Sequence, residues 1–180
     1  MGESALTIAY KYNRFEIVKY LIQQGINFNT NETKINPILA LVSEQNNYEL
    51  FTYIVDHGAS VNVKGKYGSS PLMKACEEGH LMKVKYLIMK GANVNHQNDI
   101  NDTPLIYACE NGNINIVKCL VENGANIEAY NKFHDNALTT AYEHNHINIV
   151  KYLISKGANI DVINLNNKQK ISMNTRIILK

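Results

Sequence analysis

Apolar residues recur along the chain in short runs that each end on a glycine: FEIVKYLIQQG, YELFTYIVDHG, LMKVKYLIMKG, INIVKCLVENG and INIVKYLISKG. In the fourth run Ile114, Val117, Leu120 and Val121 fall at i, i+3, i+6 and i+7, and Ile116 widens the stripe. That is the spacing of one helix face. The closing glycines are Gly25, Gly58, Gly91, Gly124 and Gly157, and every gap is 33 residues. Each is predicted to follow a helix end, where glycine turns left-handed without steric cost.

A second helix is predicted ahead of each run. Its start is marked by Ser4-Ala5-Leu6, Asn36-Pro37-Ile38, Ser70-Pro71-Leu72, Thr103-Pro104-Leu105 and Asn136-Ala137-Leu138. Each begins with a side chain able to cap a helix. All three prolines of the protein stand just after that cap, where the missing N–H is not needed and the fixed φ suits a first turn. Gly79 and Gly112, again 33 apart, mark the end of this helix in two units. A segment written five times predicts a stacked structural unit, whereas a catalytic site needs unlike groups converging once.

Helix, turn, helix and a loop of about ten residues at this period resemble the ankyrin repeat, whose signature is most complete in TPLIYA (103–108) and SPLMKA (70–75). The resemblance implies an all-α ankyrin-repeat solenoid of stacked helix-turn-helix units with protruding β-turn loop fingers, forming one domain over 1–180. The units fall at about 3–33, 34–67, 68–100, 101–133 and 134–166, and 167–180 is either a capping half-repeat or the start of a further one. Tetratricopeptide and leucine-rich units differ in length or lack the cap-proline pattern.

Three departures stand out. The signature histidine is replaced by Thr7, Leu39, Met73, Ile106 and Thr139, so its hydrogen bonds are expected to be missing and the array to be less stable than a consensus one. The second unit carries one extra residue around SEQNNYEL, offset by a loop one residue short before it. In the third, Lys83 stands where the other runs have Leu or Ile, so that helix is expected to roll or its lysine to snorkel.

Composition narrows the function. Of 180 residues 45% are hydrophobic and 19% charged, a globular balance. Net charge is only +2, from 18 basic and 16 acidic residues, which disfavours nucleic acid or anionic lipid as partner. No apolar run approaches a membrane span, and the start MGESALTIAY lacks a signal peptide's basic flank and apolar stretch. Leu6 stands where a myristoylation site needs Ser or Thr. An intracellular, cytoplasmic monomer is expected, so the sequons at Asn31 and Asn101 carry no weight.

Catalytic groups do not assemble in the sequence. Cys76, Cys109 and Cys119 lack metal-ligand spacing and read as small buried fillers. His144 and His146 have no third ligand, and His57, His80, His96 and His134 are scattered over turns. No nucleophile elbow, phosphate loop, dinucleotide turn or HExxH occurs. No catalytic residue, cofactor or metal is expected, and the chain reads as a module for a protein partner. The alternative is a targeting or regulatory segment of a larger protein whose activity lies elsewhere.

The resemblance places ligand-facing groups on the loop tips and on the concave side of the first helices. At the tips Tyr67, Ile100 and Phe133 recur every 33 residues, just before Gly68, Asn101 and His134, where φ is expected to be positive. Either each folds down over the neighbouring loop, or the three form an apolar ladder of anchors. The first helices repeat acid at Glu44, Glu77 with Glu78, Glu110 and Glu143, and the second helices repeat base at Lys19, Lys85, Lys118 and Lys151. Each row is either a solvated face or an electrostatic guide. Asn29, Asn62 and Asn95 match the family position that ties loop to stack.

Overall fold

A computed structural model describes residues 4–27 and 37–161. Asn29, Asn31, Asn36 and the segment 167–180 lie outside the described residues. Among the described residues ten α-helices follow in pairs: α1 Ala5–Lys11 with α2 Phe15–Gln23, α3 Ile38–Glu44 with α4 Tyr48–Asp56, α5 Pro71–Glu77 with α6 Leu81–Met89, α7 Pro104–Asn111 with α8 Ile114–Glu122, and α9 Ala137–Glu143 with α10 Ile147–Ser155. The first helices α3, α5, α7 and α9 pack in one row, and α2, α4, α6, α8 and α10 pack in a second. No β-strand occurs among the described residues.

The core follows the period. Val18, Phe51, Val84, Val117 and Val150 are fully buried at equivalent places. In α8 the stripe is centred on Ile116, Val117 and Leu120, while Ile114 and Val121 are half-buried. Cys76 and Cys109 are buried where α5 and α7 pack together. Full burial of an aliphatic side chain contributes about 1.5–3 kcal/mol, and the cover comes from the other helix of the pair as well as from neighbouring pairs.

All five period glycines are left-handed, from φ +78° at Gly25 to +96° at Gly58. The N–H of the next residue then reaches back five residues, as from Ala92 to the Leu87 carbonyl at 2.9 Å. Ser4, Ser70, Thr103 and Asn136 cap their helices as expected, each accepting from the backbone N–H three residues on. Pro71 and Pro104 open their helices, but Pro37 is extended at ψ 139° and stands one residue before the first helical one.

The hydrogen bonds expected to vanish with the signature histidine are partly replaced. Thr139 accepts from the Asn136 N–H at 2.8 Å and bonds the Asn136 carbonyl at 3.0 Å, and the Thr7 hydroxyl meets that of Ser4 at 2.9 Å. A short side chain with both donor and acceptor can bond its own cap, which Ile106 cannot do, nor Ala40, which the start of α3 at Ile38 puts at this position in place of the expected Leu39.

The extra residue expected in the second unit is not there, since α3 and α4 start 33 residues after α1 and α2 and 33 before α5 and α6. What sets that unit apart is how α3 ends, and Lys83 answers it. After α1, α5 and α9 a left-handed Asn13, Gly79 or Asn145 lets a backbone N–H return to the carbonyl of Ala9, Ala75 or Ala141. After α3 the chain leaves through an extended Gln45 instead. Val42, the counterpart of those alanines, receives the Lys83 ammonium at 2.5 Å, which also donates to the Gln45 and Ser43 carbonyls. His80, from the same third unit, bonds the Glu44 carbonyl at 3.3 Å. The helix does not roll and the lysine does not reach solvent: it is buried, 5.1 Å from the Phe51 ring centre, as a cap for its neighbour.

Asparagines tie consecutive units. Asn62 donates to the Gly91 carbonyl at 3.1 Å and accepts from the Asn93 N–H at 2.8 Å, and Asn95 does the same with Gly124 and Asn126. In the next unit Glu128 stands at this position; its carboxylate accepts from the Asn159 N–H at 2.9 Å but has no donor for a carbonyl. Glu128→Asn is therefore expected to stabilise the chain by about 0.5–1 kcal/mol. Urea midpoints of the two proteins check this.

Candidate functional site

The loops ahead of α7 and α9 are built from the inside by an asparagine. Asn98 accepts from the N–H groups of Ile100 and Asp102 at 3.0 and 2.9 Å, and Asn131 accepts from those of Phe133 and Asp135, both at 2.9 Å. Ahead of α5 the equivalent residue is Gly65, which keeps the main-chain bond common to all three loops, its N–H to the Ser69 carbonyl at 2.8 Å, but has no side chain to add to it. Gly68, Asn101 and His134 have positive φ as expected, and Tyr67 itself joins them at +57°.

Main-chain bonds hold adjacent tips together. The Asp99 N–H donates to the Tyr67 carbonyl at 3.1 Å, and the Lys132 N–H donates to the Ile100 carbonyl at 2.9 Å. His96 adds a 2.8 Å bond to the Gly68 carbonyl, and Asn131 adds a 2.9 Å bond to the Asp102 carboxylate. The side chains of the row stay out: Tyr67 and Phe133 are two-thirds exposed and Ile100 is 39% exposed. Folding down as local packing does not describe Tyr67 or Phe133. The Lys66 ammonium lies 4.6 Å from the Tyr67 ring centre, at the apolar row's edge.

Glu44, Glu77 and Glu143 are the last residues of α3, α5 and α9, and Glu110 lies in the last turn of α7. Lys74 reaches two of this row, Glu77 at 2.7 Å and Glu44 at 3.8 Å. Burial pushes the Glu44 carboxyl above its ordinary range, with Lys74 pulling it down and Glu77 and Glu78 adding to the rise. The remaining acids have no ion pair among the described residues. Helix C-termini are the negative end of the peptide dipoles, so a carboxylate there works against helix stability. On the second helices Lys19 pairs with Glu49 at 2.9 Å and Glu16 at 3.4 Å, and Lys118 lies 5.8 Å from the Tyr152 ring centre.

Groups with catalytic potential are occupied by the scaffold. His146 bonds the Glu110 carbonyl at 3.1 Å and His144 that of Thr140 at 3.0 Å, their rings stacked at 6.2 Å. His57 lies on Tyr53 at 3.9 Å and bonds its carbonyl. Burial pushes the Cys76, Cys109 and Cys119 thiols up, away from the reactive thiolate. Among the described residues no group of three or more His, Cys, Asp or Glu is placed to hold a metal ion. No helix among them is long and apolar enough to cross a membrane.

The family model for ankyrin repeats (3 copies) matches residues 6–98 and again residues 72–164. Comparison with curated proteins finds no match.

Proposed function

Because the chain belongs to the ankyrin-repeat family, a non-catalytic fold used for protein–protein interaction, we propose that it binds a protein partner through its loop tips and the concave side of its first helices. The carrying observation is the row Tyr67, Ile100 and Phe133, exposed at equal sequence intervals on loops whose main chains are bonded together. Large apolar groups exposed in a row suit buried anchors at an interface better than they suit water. Glu77, Glu110 and Glu143 stand where helix stability disfavours an acid, which supports their use as an electrostatic guide for a basic partner.

Affinity purification from cell lysate, with wild type and the Tyr67→Ala, Ile100→Ala, Phe133→Ala triple variant side by side, tests the row. Recovery of the specific partner is expected to fall at least about tenfold, each anchor contributing about 1 kcal/mol or more. With that partner purified, Glu77→Lys, Glu110→Lys, Glu143→Lys is expected to slow association and flatten its salt dependence. Partner recovery and salt dependence equal to wild type overturn the proposal.

A further inference from the structure

We infer that the partner meets this molecule with an α-helix of about fifteen residues or more, apolar at every seventh position and basic on the opposite flank, laid lengthwise along the row of first helices. The inference rests on the partner-binding reading above and names the element which that surface takes.

The same three helices set both edges of the surface. Tyr67, Ile100 and Phe133 stand in the loops leading into α5, α7 and α9, while Glu77, Glu110 and Glu143 stand at or next to the far ends. The apolar and acidic rows therefore run side by side, one helix length apart, which for such short helices is about 10–12 Å. Between the rows α5 opens at Lys74 and α7 at Tyr107, while their other residues up to the acid are buried. The Tyr107 hydroxyl accepts from Asn98, the residue that builds the Ile100 loop, at 3.2 Å, and Lys74 reaches Glu77 at 2.7 Å. The open line of each helix thus leads from its tip loop to its acid.

Spacing selects the occupant. The bonds from the Asp99 and Lys132 N–H groups to the Tyr67 and Ile100 carbonyls bring adjacent tips to about the 4.8 Å separation of paired strands, and each anchor lies one residue, about 3.8 Å, further on. Successive anchors therefore repeat at about 8–10 Å, in step with packed helices. An α-helix returns to one face every seven residues, or about 10.5 Å, a difference that the long side chains at the two ends of the row, Tyr67 and Phe133, take up by leaning. A β-strand repeats a face at about 6.6 or 13 Å and loses step with three anchors. A polyproline II chain returns every third residue, at about 9.3 Å, but is too slender to lie on two rows a helix length apart. An α-helix, about 10–12 Å across with its side chains, spans them.

Charge fixes the flank. Glu110 and Glu143 have no ion pair among the described residues, and Lys74 is shared between Glu77 and Glu44. At about 100° per residue, positions two and five after an apolar one lie about 140–200° around the helix. Lysine or arginine there meets the acids while the apolar residue meets the tips.

Fluorescence anisotropy of the full chain with labelled synthetic peptides of about 21 residues tests this. In the first peptide leucine recurs every seventh residue, with lysine two and five positions later, in a background of alanine and glutamine. The second has the same composition with its leucines every fifth residue, and the third has leucine every third residue between prolines. The first is expected to bind with a Kd on the order of 10–100 µM, at least about tenfold tighter than the others, and to gain helical circular dichroism on binding. Tyr67→Ala, Ile100→Ala, Phe133→Ala is expected to weaken it at least about fivefold. A version of the first peptide with glutamate for lysine is expected to bind Glu77→Lys, Glu110→Lys, Glu143→Lys and not wild type, a result that misfolding cannot produce. Binding of the first peptide no tighter than the second or third, binding without gain of helix, or no regained binding with the reversed charges overturns the helix; capture of the partner from lysate tests the underlying reading separately. Peptide binding unchanged in the tip variant, with partner capture lost, overturns the helix alone, and both unchanged overturns the reading as well.

Discussion

Lys83→Ala is expected to lower stability by about 2–4 kcal/mol, because it removes a buried four-carbon stem and leaves the last carbonyls of α3 without their donor. Lys83→Ile makes the sharper comparison. It restores the residue type of the equivalent positions Leu50, Ile116 and Ile149, so repeat logic alone predicts a gain. Replacing both members of a buried polar pair by apolar groups can be neutral. Here only one member is replaced, and the carbonyls of Val42 and Gln45 remain. The isoleucine variant is therefore expected to recover the packing but to stay about 1–3 kcal/mol below wild type. Chemical denaturation of the three proteins orders them.

The same lysine sets a pH dependence. Burial pulls its ammonium down to about 8, with Glu78 pulling it up, whereas an unfolded lysine titrates near ~10.4. Below about pH 8 both states carry the charge, and the folded state bears its full desolvation. Between about pH 8 and 10.4 the unfolded chain holds more protons, so this group's contribution to stability rises with pH. The neutral amine still donates hydrogen bonds. The advantage of wild type over Lys83→Ile is thus expected to widen across that window. Thiols and tyrosines that also titrate there are common to both proteins and cancel. A constant or narrowing difference shows that the lysine bears no buried charge.

Gly112→Ala is expected to cost about 2–3 kcal/mol, of which the left-handed backbone accounts for about 1–2. Gly112 has φ +83°, and an added Cβ would lie 2.4 Å from Cε1 of His146. That ring holds the Glu110 carbonyl, so pushing it aside also forfeits a hydrogen bond worth about 1 kcal/mol. Gly25→Ala is the control: its φ is +78°, with nothing within 4 Å of the added atom. In a His146→Ala background the Gly112 substitution is expected to fall to the Gly25 cost. Equal costs in both backgrounds reject the contact as the cause.

What could be read from the sequence was whatever recurs in register. The glycine column, the caps at Ser4, Ser70, Thr103 and Asn136, and the turns at Gly68, Asn101 and His134 depend on residues close along the chain, where local geometry decides the outcome. The tip row and the acid row were located for the same reason. The features that escaped depend on a neighbouring unit. Lys83 looked like a defect because its use is set by how α3 ends, some 40 residues earlier. His80 and His146 showed no role in the sequence because each bonds a carbonyl in the preceding unit, of Glu44 and Glu110, and His96 because its partner, the Gly68 carbonyl, lies 28 residues back. The exposure of Ile17 could not be told from the burial of Leu50, Ile116 and Ile149, since the residue types match.

The bonds between the Asp99 and Lys132 N–H groups and the Tyr67 and Ile100 carbonyls run from backbone to backbone, so none passes through a side chain of the tip row. Register along the loops is therefore not carried by those side chains, although the left-handed φ of +57° at position 67 restricts which residues fit there. Mutation can exchange the chemistry displayed at 67, 100 or 133 one position at a time while the underlying framework keeps its alignment. The proposed recognition can drift in such a molecule at little toll on folding.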